Sequence, residues 1–182
     1  MGRVYGRPLG DDSGAAWGTQ VGEGFVGAGS DTAHVNTVLG WRGGPVEAAW
    51  ATALATPRAG HIPFVVVLQP NLAVQPPTLF VNKAPLASER HELLTWGAAQ
   101  AGVACGVTTA VQEGIIPAAD VTALLLIAAV WVSPAADDEE AVFENNREAT
   151  RAALRAGATG APDVSAVVSA CDAPNNPYFR AS

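Results

Sequence analysis

Apolar residues recur with two different periods along this chain. From Ala33 to Trp41 the period is two, with Val35, Thr37 and Leu39 on one side and His34, Asn36 and Val38 on the other. Such alternation predicts a strand with one buried face. Val21–Val26 predicts a shorter strand before it, broken by glycines. Ile62–Leu68 is a continuous apolar run bounded by Gly60 and Pro70, and Ala123–Val132 is a second. Runs of this length predict buried strands. Thr78–Lys83 is a further strand, with Lys83 near its end, and the segment Gln69–Pro77, which holds three prolines, is a loop.

Helix signals fall between these strands. Pro45 follows two glycines and suits a first helical position, so Val46–Ala55 predicts a short helix. Ser88 is placed to cap a helix with Glu89 in its first turn. That helix runs to about Gln112, with a break expected near Gly97 or Gly102, and Gly114 ends it. Pro117–Asp120 begins a turn or short helix. The acids Asp137, Asp138, Glu139 and Glu140 sit where a helix N-terminus favours negative charge. The helix they open carries Arg147, Arg151 and Arg155 and is expected to stop at Gly157. The order of elements predicts a two-layer α/β (α+β) domain with helices on one face of the sheet. Its expected limits are residues 19–160, with a loose arm over 1–18 and a docking or disordered tail over 161–182.

Composition narrows the function classes. The chain has 182 residues, 49% hydrophobic and 15% charged, which suits a single buried core and excludes a disordered chain. So low a charge density suggests surface covered by other subunits, with large apolar patches as its sign. The net charge of -7 and the scattered arginines argue against a nucleic-acid surface, which needs clustered positive charge. Val121–Val132 is too short to span a bilayer and the first twenty residues lack an apolar run, so the expected compartment is the cytoplasm. Phosphate-loop and dinucleotide signatures are absent, as is a serine nucleophile elbow. Cys105 reads as a small core residue, and His61 and His91 as surface residues without a role. The three histidines are too isolated to suggest a metal site, and none is expected.

Two positions remain with chemistry to offer. His34 and Asn36 share one face of their strand, roughly 7 Å apart. They mark either an exposed sheet surface or a site in which His34 is a general acid. Lys83 is the sole lysine, against nine arginines. Either composition made lysine rare, or this ammonium does something a guanidinium cannot, since its pKa is movable.

Several segments, taken in order, resemble the formaldehyde-activating enzyme family. They are Gly22–Gly27, Ala33-His34-Val35, Gly40 to Ala49, Pro70-Asn71-Leu72, Thr78–Lys83, Ala99–Ala104, Glu113–Pro117 and Asn145–Thr150. The resemblance spans roughly residues 21–157. It implies a two-layer fold with a left-handed βαβ crossover, assembled as a homopentamer with sites at subunit boundaries. It implies condensation of formaldehyde with tetrahydromethanopterin to the methylene derivative and water, a carbon–oxygen hydro-lyase reaction without metal or separate cofactor. His34 matches the family's general acid. Lys83 and Gln100 match its pterin-contacting lysine and glutamine, and Val65 falls where an apolar contact is usually leucine. Two positions depart: Asn36 stands in place of an aspartate and Pro85 in place of a threonine. Asparagine carries no charge to raise the histidine's proton affinity. Proline has neither hydroxyl nor amide proton.

The expected mechanism is acid-assisted loss of hydroxide from a carbinolamine, with His34 as acid and Lys83, Gln100 and Val65 around the acceptor. A second role for Lys83 stays open, as a Schiff-base nucleophile toward the aldehyde. So do a different amine acceptor, a pterin-binding or carrier module that lost turnover through Asn36 and Pro85, and a ring whose assembly alone matters.

Overall fold

A computed structural model describes residues 18–176 and 179–180. The arm expected over residues 1–18 lies, apart from Gly18, outside the described residues. Strands β1 (Gln20–Val26) and β2 (Ala33–Trp41) come first, then helix α1 (Pro45–Ala55) and three short strands, β3 (Phe64–Val65), β4 (Val67–Gln69) and β5 (Leu72–Ala73). Strand β6 (Thr78–Asn82) leads into α2 (Glu89–Leu93), a π-helical turn over Leu94–Ala99, and α3 (Gln100–Gln112). Strand β7 (Leu124–Trp131), helix α4 (Glu139–Thr159) and helix α5 (Val164–Ala170) follow, and β8 (Asn175–Asn176) pairs with β9 (Phe179–Arg180).

The main sheet has the order β1-β2-β7-β6-β3. Only β6 and β7 run parallel; the other neighbours are antiparallel. The architecture is therefore mixed α+β. Among the described residues, no helix is long and apolar enough to cross a membrane.

One face of the sheet is closed by α3 and α4. Helix α4 buries Val142, Asn146, Ala149, Thr150, Ala153 and Leu154, a stripe at helical spacing. It lies across β1 and β2, while α3 packs beside it. The contact with β1 is backbone to backbone. A Cβ on Gly22 would overlap the carbonyl of Ala153, and one on Gly24 that of Ala149. The glycines that interrupt the apolar pattern of this strand therefore set how closely the helix approaches it. Val35, Leu39, Phe80, Val103, Val107, Leu126 and Val130 fill the space between the layers. Burying such side chains stabilises the fold by about 1.5–3 kcal/mol each.

Several expectations need correction. Ile62–Leu68 is not one buried strand: β3 joins the main sheet beside β6, and β4 turns away to pair with β5. The bend falls at Val66, whose amide donates to Thr78 while its carbonyl accepts from Val74, so one residue serves both sheets. Val66 is buried, but Ile62 and Leu68 are exposed. The expected break near Gly97 or Gly102 is a π-helical turn, and Gly102 lies beyond it, where it admits the backbone of α4. The last long helix runs past Gly157, which packs on β1, and ends at Gly160, whose φ of 66° is the left-handed C-terminal conformation. The tail is partly ordered, since Asp163 caps α5 through the amide of Ala166 at 2.8 Å. Helix α1 breaks the one-face rule. Gly40, on the same side of β2 as His34, faces Val46, so α1 covers the far end of the second face and leaves the His34 end open.

The capping signals hold. Ser88 Oγ accepts from the His91 amide at 3.1 Å, and Asp138 accepts from the Ala141 amide at 3.0 Å. We predict that Gly24→Val lowers unfolding stability by about 1–3 kcal/mol or more, because backbone cannot yield to the added carbons. Gly97→Ala, with nothing within 4 Å of the new carbon, leaves it unchanged or higher. Chemical denaturation of both variants checks this; equal losses would contradict the close-approach argument.

Candidate functional site

The open end of the sheet is built by register. Strand β1 pairs with β2 so that Phe25 stands opposite His34 and Glu23 opposite Asn36. Strand β7 places Trp131 opposite His34 from the other side. Paired residues of antiparallel strands share a face, so these side chains converge on the uncovered side. Lys83 arrives from the end of β6. Its amide donates to the Val130 carbonyl at 2.8 Å, extending the β6–β7 ladder by one residue. The result is an open cleft of about 1140 Å³ lined by Glu23, Phe25, His34, Asn36, Lys83 and Trp131. Asn175 and Asn176, from the β8–β9 hairpin, reach its rim.

Two short polar contacts organise the cleft. Lys83 Nζ donates to Asn36 Oδ1 at 2.6 Å. His34 Nε2 lies 3.0 Å from Glu23 Oε1. The Phe25 ring rests against the imidazole, with centroids 5.8 Å apart and planes tilted by 59°. Burial lowers the His34 pKa below its ordinary value, and the positive charge of Lys83 lowers it further, while Glu23 opposes both. Burial also lowers the Lys83 pKa, again against the pull of Glu23. The cleft thus disfavours an imidazolium and an ammonium together. Asn36 offers Lys83 an acceptor without a countercharge.

Of the six residues singled out by resemblance, His34, Asn36 and Lys83 meet in this cleft. The other three lie elsewhere in the protomer. Val65 is half-buried in β3 opposite Leu79. Gln100 is buried at the start of α3, where its Oε1 accepts from the Val67 amide at 2.7 Å. Pro85 is exposed beside Gly60. Glu23, Phe25 and Trp131 were not foreseen as site residues. The alternation Val21, Glu23, Phe25 was visible in the first strand, but only the pairing register reveals which residues it faces.

The remaining histidines have structural duties. His91 is buried, not superficial: its Nδ1 accepts from the Ala87 amide at 3.1 Å, so Nε2 carries the proton donated to the Val132 carbonyl at 3.0 Å. His61, also half-buried, bonds through Nδ1 to the Asn82 carbonyl at 2.9 Å. Cys105 is half-buried on α3. Arg151 and Arg155 both pair with Glu113, tying α4 to the end of α3. Among the described residues, no group of three or more His, Cys, Asp or Glu is arranged to hold a metal ion.

A family model described as "Formaldehyde-activating enzyme (Fae)" matches residues 21–179. The chain is 38% identical over 160 residues to the 5,6,7,8-tetrahydromethanopterin hydro-lyase of Methanosarcina barkeri, covering 88% of this chain and 90% of that protein. It is 37% identical over 149 residues to the bifunctional enzyme Fae/Hps of Methanosarcina mazei, covering 82% of this chain but 38% of that longer protein. A bifunctional enzyme Fae/Hps from Archaeoglobus fulgidus is 35% identical over 159 residues, covering 87% of this chain and 40% of that protein. Both the ordered segments and the extent of these matches place the chain in one group: it belongs to the formaldehyde-activating enzyme family.

Proposed function

We propose that this protein is a hydro-lyase that condenses formaldehyde with a reduced pterin, tetrahydromethanopterin or one like it, to give the methylene derivative and water. The single observation that supports the reading most is the meeting of His34 and Lys83 in one cleft. They are 49 positions apart by their numbering and arrive from different strands.

The hard step is loss of hydroxide from the carbinolamine that formaldehyde forms with an amine. A positioned acid that protonates the leaving oxygen accelerates such a step by about 10²–10⁴-fold. His34 is the acid in this reading. Glu23 orients its ring through Nε2 and stabilises the imidazolium, taking on part of the work of the absent aspartate at position 36. Phe25 and Trp131 give the cleft aromatic walls against which a flat ring can lie. Holding acceptor and aldehyde together contributes through proximity. Neither reactant needs a metal to supply electrons, because the condensation is redox-neutral.

The homopentamer and the left-handed crossover between β6 and β7 belong to the same proposal. The support for assembly is apolar surface at the cleft side and at the β3–β5 edge, where Val21, Phe25, Ile62, Leu68 and Leu72 are exposed. In a ring, Val65, Pro85 and Gln100 of one subunit would stand near the His34 cleft of the next. A catalytic unit over residues 19–160 with a separate tail is also part of this reading, although Asn175 and Asn176 give the tail a place at the cleft. The cytoplasm remains the proposed compartment.

Three outcomes are expected. Wild type should accelerate methylene formation over the protein-free reaction with tetrahydromethanopterin or tetrahydrofolate, and His34→Ala should lose about 10²-fold or more of that gain. A wild-type rate equal to the protein-free control with both acceptors would leave only a binding protein. The acid form of His34 is lost as pH rises through its lowered pKa, so the gain should fall on the alkaline side. Glu23→Gln removes the group that raises this pKa and should move that limb to lower pH, whereas Asn36→Asp should move it to higher pH. Identical pH profiles for the three proteins would refute the Glu23 assignment. Sedimentation should give a pentamer mass; a monomer at assay concentration would sink the shared-boundary reading.

A further inference from the structure

The geometry points to a covalent role for Lys83: its Nζ captures formaldehyde as an imine and passes the carbon to the amine acceptor. This rests on the aldehyde chemistry proposed above and deepens it, by giving the aldehyde its own seat in the cleft.

Five observations converge on it. Lys83 is the one ε-amine in the chain, and it opens onto the cleft that holds His34. Its contact partner is a neutral amide, Asn36 Oδ1, at 2.6 Å. An amide oxygen accepts from an amine as well as from an ammonium, so this contact survives deprotonation. Among the described residues, Lys83 makes no ion pair, and the cleft's carboxylate, Glu23, is engaged with His34 Nε2. A lysine serving only as an ionic anchor would be expected to face a countercharge. Burial shifts Lys83 in the direction a nucleophile requires, toward the neutral amine. His34, on the same sheet face two residues from Asn36, supplies the acid that imine formation consumes.

The steps balance without an oxidant or reductant. The Lys83 nitrogen lone pair attacks the formaldehyde carbon; the N–C bond forms and the carbonyl π bond breaks onto oxygen, which takes a proton from His34. The nitrogen gives up a proton to the imidazole, leaving a neutral carbinolamine. Reprotonation of the hydroxyl by His34 releases water, and the nitrogen lone pair closes the C=N⁺ bond. The secondary amine of the acceptor then attacks the iminium carbon. Proton transfer from that nitrogen to Nζ lets the Lys83 N–C bond break, so the lysine leaves as an amine and the methylene stays on the acceptor as its iminium. A second nitrogen of the acceptor closes onto that carbon and gives its proton to His34, which restores the imidazolium. Net, formaldehyde and the acceptor give the methylene product and water, and Lys83 is regenerated.

The test is reductive trapping of the full chain with formaldehyde and cyanoborohydride in the absence of pterin, read by peptide mass spectrometry as N-methylation of Lys83. The expected rate in the folded chain is about 10²-fold above that of the same lysine in the chain unfolded by guanidinium chloride at equal free formaldehyde, the lower end of what a positioned acid supplies. Asn36→Asp, which gives the ammonium a countercharge, should slow trapping, and near-ultraviolet circular dichroism reports whether that variant is folded. Lys83→Arg keeps a positive charge but removes the nucleophile, so its methylene transfer to tetrahydromethanopterin should fall to the level of the protein-free reaction. Trapping no faster in the folded than in the unfolded chain, or wild-type turnover in Lys83→Arg, overturns the covalent role and leaves the condensation itself standing. Fast trapping at Lys83 with no transfer to any reduced pterin has the opposite meaning. It upholds the captured aldehyde and removes the pterin condensation.

Discussion

The antiparallel register between β1 and β2 is the constraint on which the rest depends. It pairs Gly22 with Thr37 and Gly24 with Val35 on one side, and Glu23 with Asn36 and Phe25 with His34 on the other. The first set lets α4 settle onto the sheet backbone. The second builds the cleft. A slip of one residue would exchange the two faces, driving Glu23 and Phe25 into α4 and opening the glycines to solvent. Fold and site are therefore fixed by the same ladder. The close packing of α4 against Gly22 and Gly24 holds that ladder in place.

The electrostatics of the cleft follow from this placement. Two basic side chains, His34 and Lys83, come together with one facing carboxylate, Glu23. Burial lowers both pKa values, and the charge of Lys83 lowers that of His34 further, while Glu23 opposes the shift at each. An aspartate at position 36 would hold the lysine as an ammonium. Asparagine there keeps the hydrogen bond at 2.6 Å and drops the charge. That single exchange alters the chemistry available to Lys83 more than it alters geometry.

Much of this was legible from the order of residues. The bounds of β2, its alternation, and the capping roles of Ser88 and Asp138 are local properties, decided by side-chain period and by backbone amides within one turn. Lys83 stood out by its rarity, and His34 by the face it shares with Asn36. What stayed hidden was decided at a distance. Glu23 becomes a partner of His34 only through pairing between strands. Ile62–Leu68 divides because the backbone of Val66 serves two sheets, which no apolar pattern records. His91 is buried because Val132, 41 residues later, offers it a carbonyl. Gly157 resembled a helix stop, but it lies inside the helix, packed on β1, and the left-handed turn belongs to Gly160. Val65, Pro85 and Gln100 were grouped with His34 by resemblance, whereas the fold of one protomer sets them apart from it.

The most direct test of the account is a crystal structure of the assembled protein with a reduced pterin bound. The account predicts the pterin ring in the cleft between Phe25 and Trp131, with its reacting nitrogen near both His34 and Lys83. Val65, Pro85 or Gln100 of a neighbouring subunit should contact the same ligand. A pterin seated elsewhere, with His34 and Lys83 facing only solvent or protein, would contradict it.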